Sequence, residues 1–170
     1  SWQEVCATTH QMHFEAVHDR MEATPFEGGA RVIFGKLNHP QETYGMRFQF
    51  PDGSVVAYTT DNEPYDPRMP DPRLLRLAAG ADIWITDCQF SKEQYEGLAG
   101  GVPRHGWGHS YPEAVAATAK IAEVKQVVLF HHDPASSDDR IDEMCDYTQS
   151  LLSGTGIQVT AAYEGLEMRI

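Results

Sequence analysis

Apolar and polar residues alternate over three short stretches between positions 30 and 60, and turn-forming residues separate these stretches. The stretches read ARVIFGKLN, YGMRFQF and SVVAYTT, and PDG stands between the last two. Alternation with a period of two, rich in Val, Ile, Phe and Tyr, is typical of β-strands, and PDG is typical of a hairpin turn. The pattern predicts a β-meander in this part of the chain.

The rest of the chain alternates between apolar, strand-like runs and segments with helical periodicity. The predicted strands are ADIWITDC, KQVVLFHHDP, IQVTAAY and LEMRI. The predicted helices are DPRLLRLAAG, SKEQYEGL, YPEAVAATAKIAEV and SSDDRIDEMCDYTQSLLSG, and three of them begin at an Asp or Ser suited to an N-cap. Strands and helices that alternate after a meander predict an α/β fold with a mixed sheet.

The first 29 residues fit this pattern poorly. The segment THQMHFEAVHDRMEA has a helical composition but no continuous apolar face, and Pro25 and the two glycines at 28–29 end it. We therefore expect residues 1–29 to form an N-terminal linker or helix, followed by one α/β domain over residues 30–170.

Charge and composition exclude several classes of partner. The chain has 170 residues and a formal net charge of −12, and its 13 basic residues are scattered. Such a chain repels phosphate backbones, so we do not expect nucleic acid as a partner. No run approaches the roughly 18 apolar residues of a membrane helix, so we expect no membrane partner. The three cysteines lack CxxC spacing, which favours a reducing compartment such as the cytoplasm.

Imidazoles and carboxylates stand where the predicted strands end. His39 follows VIFGKLN, Asp61 follows VVAYTT, Asp87 ends DIWITD, and His131 and His132 follow QVVLF. Ligands of α/β sheets bind beyond strand ends, and these side chains are suited to zinc, manganese or iron. Taken singly, each residue is more often a hydrogen-bonding loop residue or a turn former. Their shared position is what favours a metal site.

The order of these motifs adds a resemblance to a known family. LNHPQETYGMRF, VVAYTTDNEP, DIWITDCQF, GWGHS and VVLFHHDP follow one another with elements of the right type between them. Over residues 30–170 the chain resembles the second half of the metallo-β-lactamase-fold hydrolases, in particular their phosphodiesterase and RNase Z-like branch. The resemblance implies half of an αββα sandwich, with a mixed sheet and helices on one face.

The resemblance implies metal ligands and cofactors. His39 matches the histidine that completes the first metal site, Asp61 matches the aspartate that bridges both metals, and His131 matches the histidine on the second metal. His132 is the less favoured substitute for His131. The implied cofactors are two divalent ions, zinc or else manganese or iron, which lower the pKa of bound water towards neutrality.

The resemblance also implies catalytic residues and a substrate class. His109 of the GHS motif matches a histidine that protonates the leaving group, and Asp87 stands where a carboxylate orients it. The implied substrate is a small molecule, a phosphodiester or a similar small ester. Trp107 is suited equally to stacking on a substrate ring and to packing within its loop, and Arg104 and His105 either meet a phosphate or are simply exposed.

The chain departs from the family at the HxHxDH motif, which supplies the remaining ligands. The nearest approach is HQMH at positions 10–13, which has the wrong spacing and no DH after it. We therefore expect the isolated chain to be inactive and to hold few metal ions or none. We also expect a partner for the sheet face that the other half would cover. That partner is a missing N-terminal half of the fold, in a longer enzyme or a second chain, or another copy of this chain.

Three functional interpretations stay open at this point. The first is the C-terminal part of a dinuclear metal-dependent hydrolase, which the presence of His39, Asp61, His109 and His131 favours. The second is a non-catalytic binding or regulatory domain of the same fold, which the absence of HxHxDH favours. The third is a purely structural α/β domain, for which the ordered motifs are a coincidence.

Overall fold

The structure, a computed structural model, describes residues 16–25, 28–66, 69–98 and 100–170. Within these residues a seven-stranded sheet is accompanied by four helices. The strands are β1 (Glu22–Ala23), β2 (Arg31–Lys36), β3 (Tyr44–Gln49), β4 (Val55–Thr59), β5 (Ile83–Asp87), β6 (Gln126–Phe130) and β7 (Gln158–Ala161). The helices are α1 (Pro72–Ala78), α2 (Lys92–Glu96), α3 (Pro112–Ala122) and α4 (Asp138–Leu151). None of these helices has the length and apolar character that crossing a bilayer requires.

The sheet is mixed, which confirms the predicted fold class. Its strands lie in chain order, antiparallel from β1 to β4 and parallel from β4 to β7. Helices occupy the connections between the parallel strands, because parallel neighbours need a crossover. Since β2 and β4 are both antiparallel to β3, they run in the same direction as β5 and β6. The carboxyl ends of β2, β4, β5 and β6 therefore reach one edge of the sheet.

Local sequence signals set the beginnings of three helices as predicted. The Asp71 side chain accepts a hydrogen bond from the backbone N–H of Arg73 at the start of α1, directly before Pro72. Ser91 caps α2 with a reciprocal capping box, and Ser137 caps α4. Each cap gives a partner to a backbone N–H that has none within the helix.

The core lies between one face of the sheet and the three longer helices α1, α3 and α4. Ala57, Trp84 and Val127 are neighbours on adjacent strands, face these helices, and have no exposed surface. The indole Nε1 of Trp84 donates to Thr59 Oγ1 over 2.8 Å, so the largest buried side chain keeps a hydrogen-bond partner. Helices on one face of the sheet are thus observed as predicted.

The opposite face of the sheet is apolar and incompletely buried. Phe34, Met46, Tyr58 and Ile85 form one row across four strands, and all four are partly exposed. Phe130, at the end of β6, is 39% exposed. Contiguous apolar surface of this kind usually meets another surface. The partner that the sequence analysis expects for it stays a prediction.

Two predictions for segments near the ends of the chain are not confirmed. LEMRI at 166–170 was predicted as a final strand, and this is wrong: the last strand is β7. Leu166 and Met168 are only half-buried and Ile170 is 58% exposed, so the segment lacks the buried face that fixes a strand's register. The predicted helical segment before Pro25 lies mostly outside the described residues, and its described end contributes β1.

Candidate metal centre

The residues that the sequence analysis singled out converge at the edge where four strands end. Asp61 lies two residues after β4, Asp87 is the last residue of β5, and His131 directly follows β6. His39 lies three residues after β2, which runs in the same direction. His109 comes from the loop between α2 and α3 and reaches the same edge through its contact with Asp87.

Asp61 lies between two imidazoles. Its Oδ1 is 3.5 Å from Nε2 of His131 and 3.7 Å from Nε2 of His39. The side chains are sheltered without being sealed, with exposed fractions of 33% for Asp61, 35% for His131 and 11% for His39. Two imidazole nitrogens and a carboxylate oxygen that face one another are a donor set of the type that binds zinc and related ions.

Asp87 organises the neighbouring histidine. The Asp87 side chain has no exposed surface, and its Oδ2 accepts a hydrogen bond from Nδ1 of His109 over 2.7 Å. Oδ2 also accepts from the backbone N–H of Asp61 (3.2 Å), and Oδ1 accepts from that of Ser110 (3.0 Å). These bonds join the ends of β4 and β5 to the loop that carries His109.

The contact with Asp87 also sets the protonation of His109. Burial lowers the pKa of His109, but the hydrogen bond to Asp87 and the charges of Asp87, Asp61 and Glu63 together outweigh burial and raise the pKa above its ordinary value. Because Nδ1 is held as a donor, Nε2 is the nitrogen that remains for proton exchange. The ring stacks on that of His131, with centroids 4.9 Å apart, so Nε2 belongs to the same cluster.

The potential metal-ligand atoms differ in whether they already have a hydrogen-bond partner. Asp61, Asp87, His109 and His131 each offer a ligand atom, and these atoms lie within 4.8 Å of one another. Both oxygens of Asp87 and Nδ1 of His109 already have hydrogen-bond partners. Among these four residues, Asp61 and His131 are therefore best placed to hold a metal ion, and Asp87 and His109 are better suited to moving a proton beside it. His39 lies outside this group of four, but its Nε2 faces Oδ1 of Asp61 over 3.7 Å and can complete a set of three ligands.

The second nitrogen of His39 contacts two groups that favour opposite tautomers. Nδ1 lies 3.2 Å from Oγ1 of Thr43 and accepts from the backbone N–H of Gln41, also over 3.2 Å. The Thr43 hydroxyl can accept a hydrogen bond from Nδ1–H, and that tautomer leaves the lone pair on Nε2 for a metal. The hydrogen bond from the Gln41 amide to Nδ1 favours the other tautomer, with the proton on Nε2. Metal-binding histidines commonly donate their other N–H in this way.

His132, the predicted substitute for His131, has different surroundings. Its Nε2 is buried and has no hydrogen-bond partner within the described part of the chain. Burial lowers the pKa of His132, so the ring is neutral. Asp61 faces His131 rather than its neighbour, so the geometry favours His131 as the ligand.

Glu63 is a site residue that the sequence analysis missed. Only 6% exposed, its carboxylate accepts from the hydroxyl of Tyr95 (2.6 Å) and from the backbone N–H groups of Gly106 (2.8 Å) and Gly108 (2.9 Å). The motif DNEP indicates a turn, in which a glutamate is ordinarily exposed. The only available signal was its position two residues after Asp61.

The other loop residues of interest are engaged with the protein itself. Arg104 donates to Asp133 Oδ2 over 3.1 Å and lies 4.3 Å from the centre of the Phe90 ring. The ring of His105 lies 4.3 Å from that of Tyr95. Trp107 remains 52% exposed. Of the three loop residues considered for substrate contacts, His105 and Trp107 are exposed and Arg104 is half-buried.

An open cleft adjoins the centre on the side of His39. Its volume is about 400 Å³. It is lined by Asn38, His39, Pro40, Glu63, Pro64, Tyr65, Tyr95, His105 and Gly106. The rings of Tyr65, Tyr95 and His105 therefore line an open surface beside His39.

Comparison with known families and proteins places these observations in context. A family model described as a beta-lactamase superfamily domain matches residues 2–132. An uncharacterized protein of Mycobacterium tuberculosis is 28% identical over 130 residues, which are 75% of this chain and 42% of that protein. A ribonuclease Z of Ignicoccus hospitalis is 28% identical over 129 residues, 71% of this chain and 39% of that protein. The chain thus spans less than half the length of these relatives.

Solved structures show the same fold. A metallo-beta-lactamase fold protein of Bacillus subtilis gives a TM-score of 0.66 at 19% identity and covers 97% of this chain and 60% of that one. Zn²⁺-bound PqqB of Methylobacterium extorquens gives 0.59 at 21% identity, covering 92% and 52%. A diphosphatase of the PhnP family gives 0.56 at 23% identity, covering 91% and 47%. At these identities the likeness concerns the fold alone.

Proposed function

This chain belongs to the beta-lactamase superfamily, whose metallo-β-lactamase-fold members are metal-dependent hydrolases, and we propose that it forms part of a hydrolase acting on a phosphodiester or a similar small ester. The proposal names Asp61, His39 and His131 as metal ligands. It names His109 as the proton donor and Asp87 as the residue that orients it.

One observation carries this proposal: a single oxygen of Asp61 faces Nε2 of both His39 and His131, and the His109–Asp87 pair lies beside them. A purely structural network of histidines has no need for two imidazole nitrogens directed at one carboxylate oxygen. A hydrogen-bonded histidine and aspartate next to a metal site match the requirements of proton transfer to a leaving group.

The protein's own residues have separable tasks in this reaction. When bound, divalent ions supply positive charge that neutralises charge developing in the transition state and makes water more acidic. Asp61 and the two ligating histidines fix the position of that charge. His109 gives the proton on Nε2 to the departing oxygen, while Asp87 holds Nδ1 and stabilises the charged imidazole. The low exposure of Asp87 keeps water from competing for this bond.

Ligand count bears on metal occupancy. A catalytic zinc ion usually takes three protein ligands, and within the described residues His39, Asp61 and His131 supply such a set for one ion. A two-ion site needs further ligands. We therefore propose that full occupancy and activity require another segment or a second chain, which also covers the apolar sheet face, and that the isolated chain has little activity.

The substrate class is proposed from charge and from relatives. The net charge of −12 without a basic cluster disfavours long polyanionic substrates, which need electrostatic capture. Two of the similar proteins are named as a ribonuclease Z and a diphosphatase, and these names support a substrate that contains phosphate. The cleft of about 400 Å³ beside His39 has room for a small molecule.

A cytoplasmic location is proposed from the cysteines. Cys88 is fully buried and Cys145 is half-buried. Burial raises the pKa of both thiols, so they stay protonated and pack as small apolar side chains. Inert free thiols fit a reducing compartment.

A second candidate function is a non-catalytic binding or regulatory domain of the same fold. The small number of metal ligands among the described residues favours it. Such a domain would keep the cleft and lose turnover. The two functions differ in the fate of a proton donor: an enzyme depends on His109, whereas binding alone does not.

The experiment measures bound metal and hydrolysis together. Metal content is determined by mass spectrometry for this chain and for a longer polypeptide that contains the HxHxDH half. Both are assayed with bis(p-nitrophenyl) phosphate, whose leaving group needs no proton, and with a cyclic nucleotide, whose departing alkoxide does need one. Bound zinc, manganese or iron with turnover that His109→Gln abolishes supports the proposal. Absence of metal from both polypeptides, or turnover of the cyclic nucleotide that survives His109→Gln unchanged, contradicts it.

A further inference from the structure

Glu63 is a buried carboxylate with an unusual set of partners. It is 6% exposed, and its hydrogen-bond donors are the hydroxyl of Tyr95 and the backbone N–H groups of Gly106 and Gly108. Burying a carboxylate is costly unless each oxygen is hydrogen-bonded. Here both oxygens are satisfied by neutral donors on the loop that leads directly into His109. We propose that Glu63 is a positioning residue that holds residues 106–109 against His39, so that His39 and His109 keep their places around Asp61.

The glycine loop forms a receptor for this carboxylate. Gly106 and Gly108 have φ angles of 78° and 89°, in the left-handed region that non-glycine residues rarely adopt. The two positive φ values turn the N–H groups of Gly106 and Gly108 towards Glu63, where they bind Oε1 and Oε2 respectively. Backbone N–H groups that converge in this way form an anion-binding concavity. The sequence HGWGH therefore has a structural reason beyond flexibility.

The loop in turn packs directly on a metal-ligand candidate. A Cβ atom built on Gly108 would overlap the His39 ring and would lie 2.7 Å from its Nε2. The backbone of Gly108 thus stands where it limits how far the His39 imidazole can swing. The hydrogen bond from the Gly108 N–H to Glu63 therefore also fixes the backbone against which the His39 ring packs.

The backbone of Glu63 fixes the other side of His39. The N–H of Glu63 donates to the carbonyl oxygen of Asn38 (2.9 Å), and Nδ2 of Asn38 donates to the carbonyl oxygen of Glu63 (3.0 Å). Asn38 immediately precedes His39. Glu63 therefore ties the loop before His39 with its backbone and the loop before His109 with its side chain, and it lies two residues from Asp61.

The test separates positioning from a general contribution to folding. Glu63→Gln is isosteric, but the amide has an NH₂ group in place of one carboxylate oxygen, so one glycine N–H loses its acceptor. Glu113→Gln is the matched control, because Glu113 also accepts from a tyrosine hydroxyl, that of Tyr147 (3.0 Å), in a contact between α3 and α4 that involves neither Glu63 nor the two glycines. Tyr95→Phe removes one bond to Glu63 and keeps both glycine bonds.

Two quantities are measured on each folded variant. The first is the set of NMR signals of the Gly106 and Gly108 amides and of the His39 and His109 rings in the metal-free chain. The second is the affinity for Zn²⁺ by calorimetry. We expect Glu63→Gln to shift these signals and to weaken Zn²⁺ binding about 10- to 100-fold, as for other groups that orient a ligand. Glu113→Gln and Tyr95→Phe should leave the ring signals and Zn²⁺ affinity near those of the parent chain.

The outcomes separate this inference from the proposed function, on which it rests for the roles of His39 and His109. If folded Glu63→Gln keeps the parental ring signals, or changes them no more than Glu113→Gln does, the inference is overturned. If neither the parent chain nor the longer polypeptide that contains the HxHxDH half binds Zn²⁺, the proposed function loses its support, while the ring signals of the metal-free chain still decide on positioning. If Glu63→Gln does not fold, Gly106→Ala carries the test, because its added Cβ meets no atom within 4 Å and perturbs only the backbone turn.

Discussion

Asp61 and His131, whose side chains face each other with Oδ1 and Nε2 3.5 Å apart, both hold the backbone in the left-handed region, at φ angles of 60° and 56°. His131 directly follows the end of β6, and Asp61 lies two residues after the end of β4. Non-glycine residues adopt this conformation infrequently, and the strain is typical of functional positions. The left-handed conformation at Asp61 and His131 therefore costs conformational free energy, and it directs both side chains to the shared edge of the sheet.

The first prediction concerns Asp61→Asn. Asparagine tolerates the left-handed region at least as well as aspartate, so the backbone turn should be kept. The variant loses the negative charge that faces two imidazoles. We expect the affinity for Zn²⁺ to fall more than about 100-fold, which exceeds the loss of affinity caused by replacing a residue that only orients a metal ligand. Calorimetric titration of the folded chain with Zn²⁺ measures this. Asp142→Asn, an exposed site in α4, is the control; equal affinities in the two variants would rule out Asp61 as a ligand.

The second prediction concerns the tautomer of His39. Thr43→Val removes the hydroxyl that lies 3.2 Å from Nδ1 and leaves the Gln41 amide, which favours the proton on Nε2. Binding of Zn²⁺ at Nε2 then requires the ring proton to move to Nδ1, where the hydroxyl acceptor is gone, and we expect an affinity loss of about 10- to 100-fold. Calorimetry at several pH values, together with ¹⁵N shifts of the His39 ring, measures the change. Thr43→Ser keeps the hydroxyl and should behave like the parent; a Val variant that binds Zn²⁺ like the Ser variant contradicts the assignment.

The third prediction separates proton transfer from metal binding. In Asp87→Asn an NH₂ group replaces one of the two carboxylate oxygens. Either the Ser110 N–H or the pair of donors from His109 and Asp61 then loses its acceptor. We expect kcat in the complete, metal-loaded protein to fall by about 10²- to 10⁴-fold, and stability to fall by about 1–3 kcal/mol, since a buried donor loses its acceptor. Bound Zn²⁺ should stay near the parental level. Turnover equal to the parent at equal metal content would remove Asp87 from the mechanism.

The strand-end residues could be predicted from sequence because they are defined by local pattern. His39, Asp61, Asp87 and His131 each stand where an apolar, alternating run stops, and the direction of the strands then brings them to one edge. The fold class followed from the same pattern. LEMRI failed as a strand because an apolar pattern does not reveal whether a buried face is available to it.

The remaining parts of the site depend on contacts between distant segments. His109 reaches Asp87 across 22 positions, and only the family resemblance suggested the pairing. Glu63 accepts from Gly106 across 43 positions, so nothing near DNEP indicates that the carboxylate is buried. Burial of a charged turn residue is decided by which loop folds over it, and that is information a single local window does not contain.

The last prediction concerns stability and pH at Asp82, far from the metal centre. Its carboxylate joins the beginning of β4 to the end of the α3–β6 turn, because it accepts from the ammonium group of Lys125 and from the backbone N–H of Val55, both over 2.7 Å. These bonds, that of Lys125 first, hold the pKa of Asp82 below its ordinary value of 3.8. The folded state therefore binds a proton less readily than the unfolded state, so this stabilisation is complete above that value and is lost as the pH falls through the lowered pKa.

We expect Asp82→Asn to reduce the free energy of unfolding by about 1 kcal/mol at pH 7, and the difference from the parent to shrink below pH 3.8. Urea unfolding at a series of pH values, with Asp142→Asn as the control, measures both effects; a difference that stays constant down to pH 2 would show that the charge of Asp82 contributes nothing.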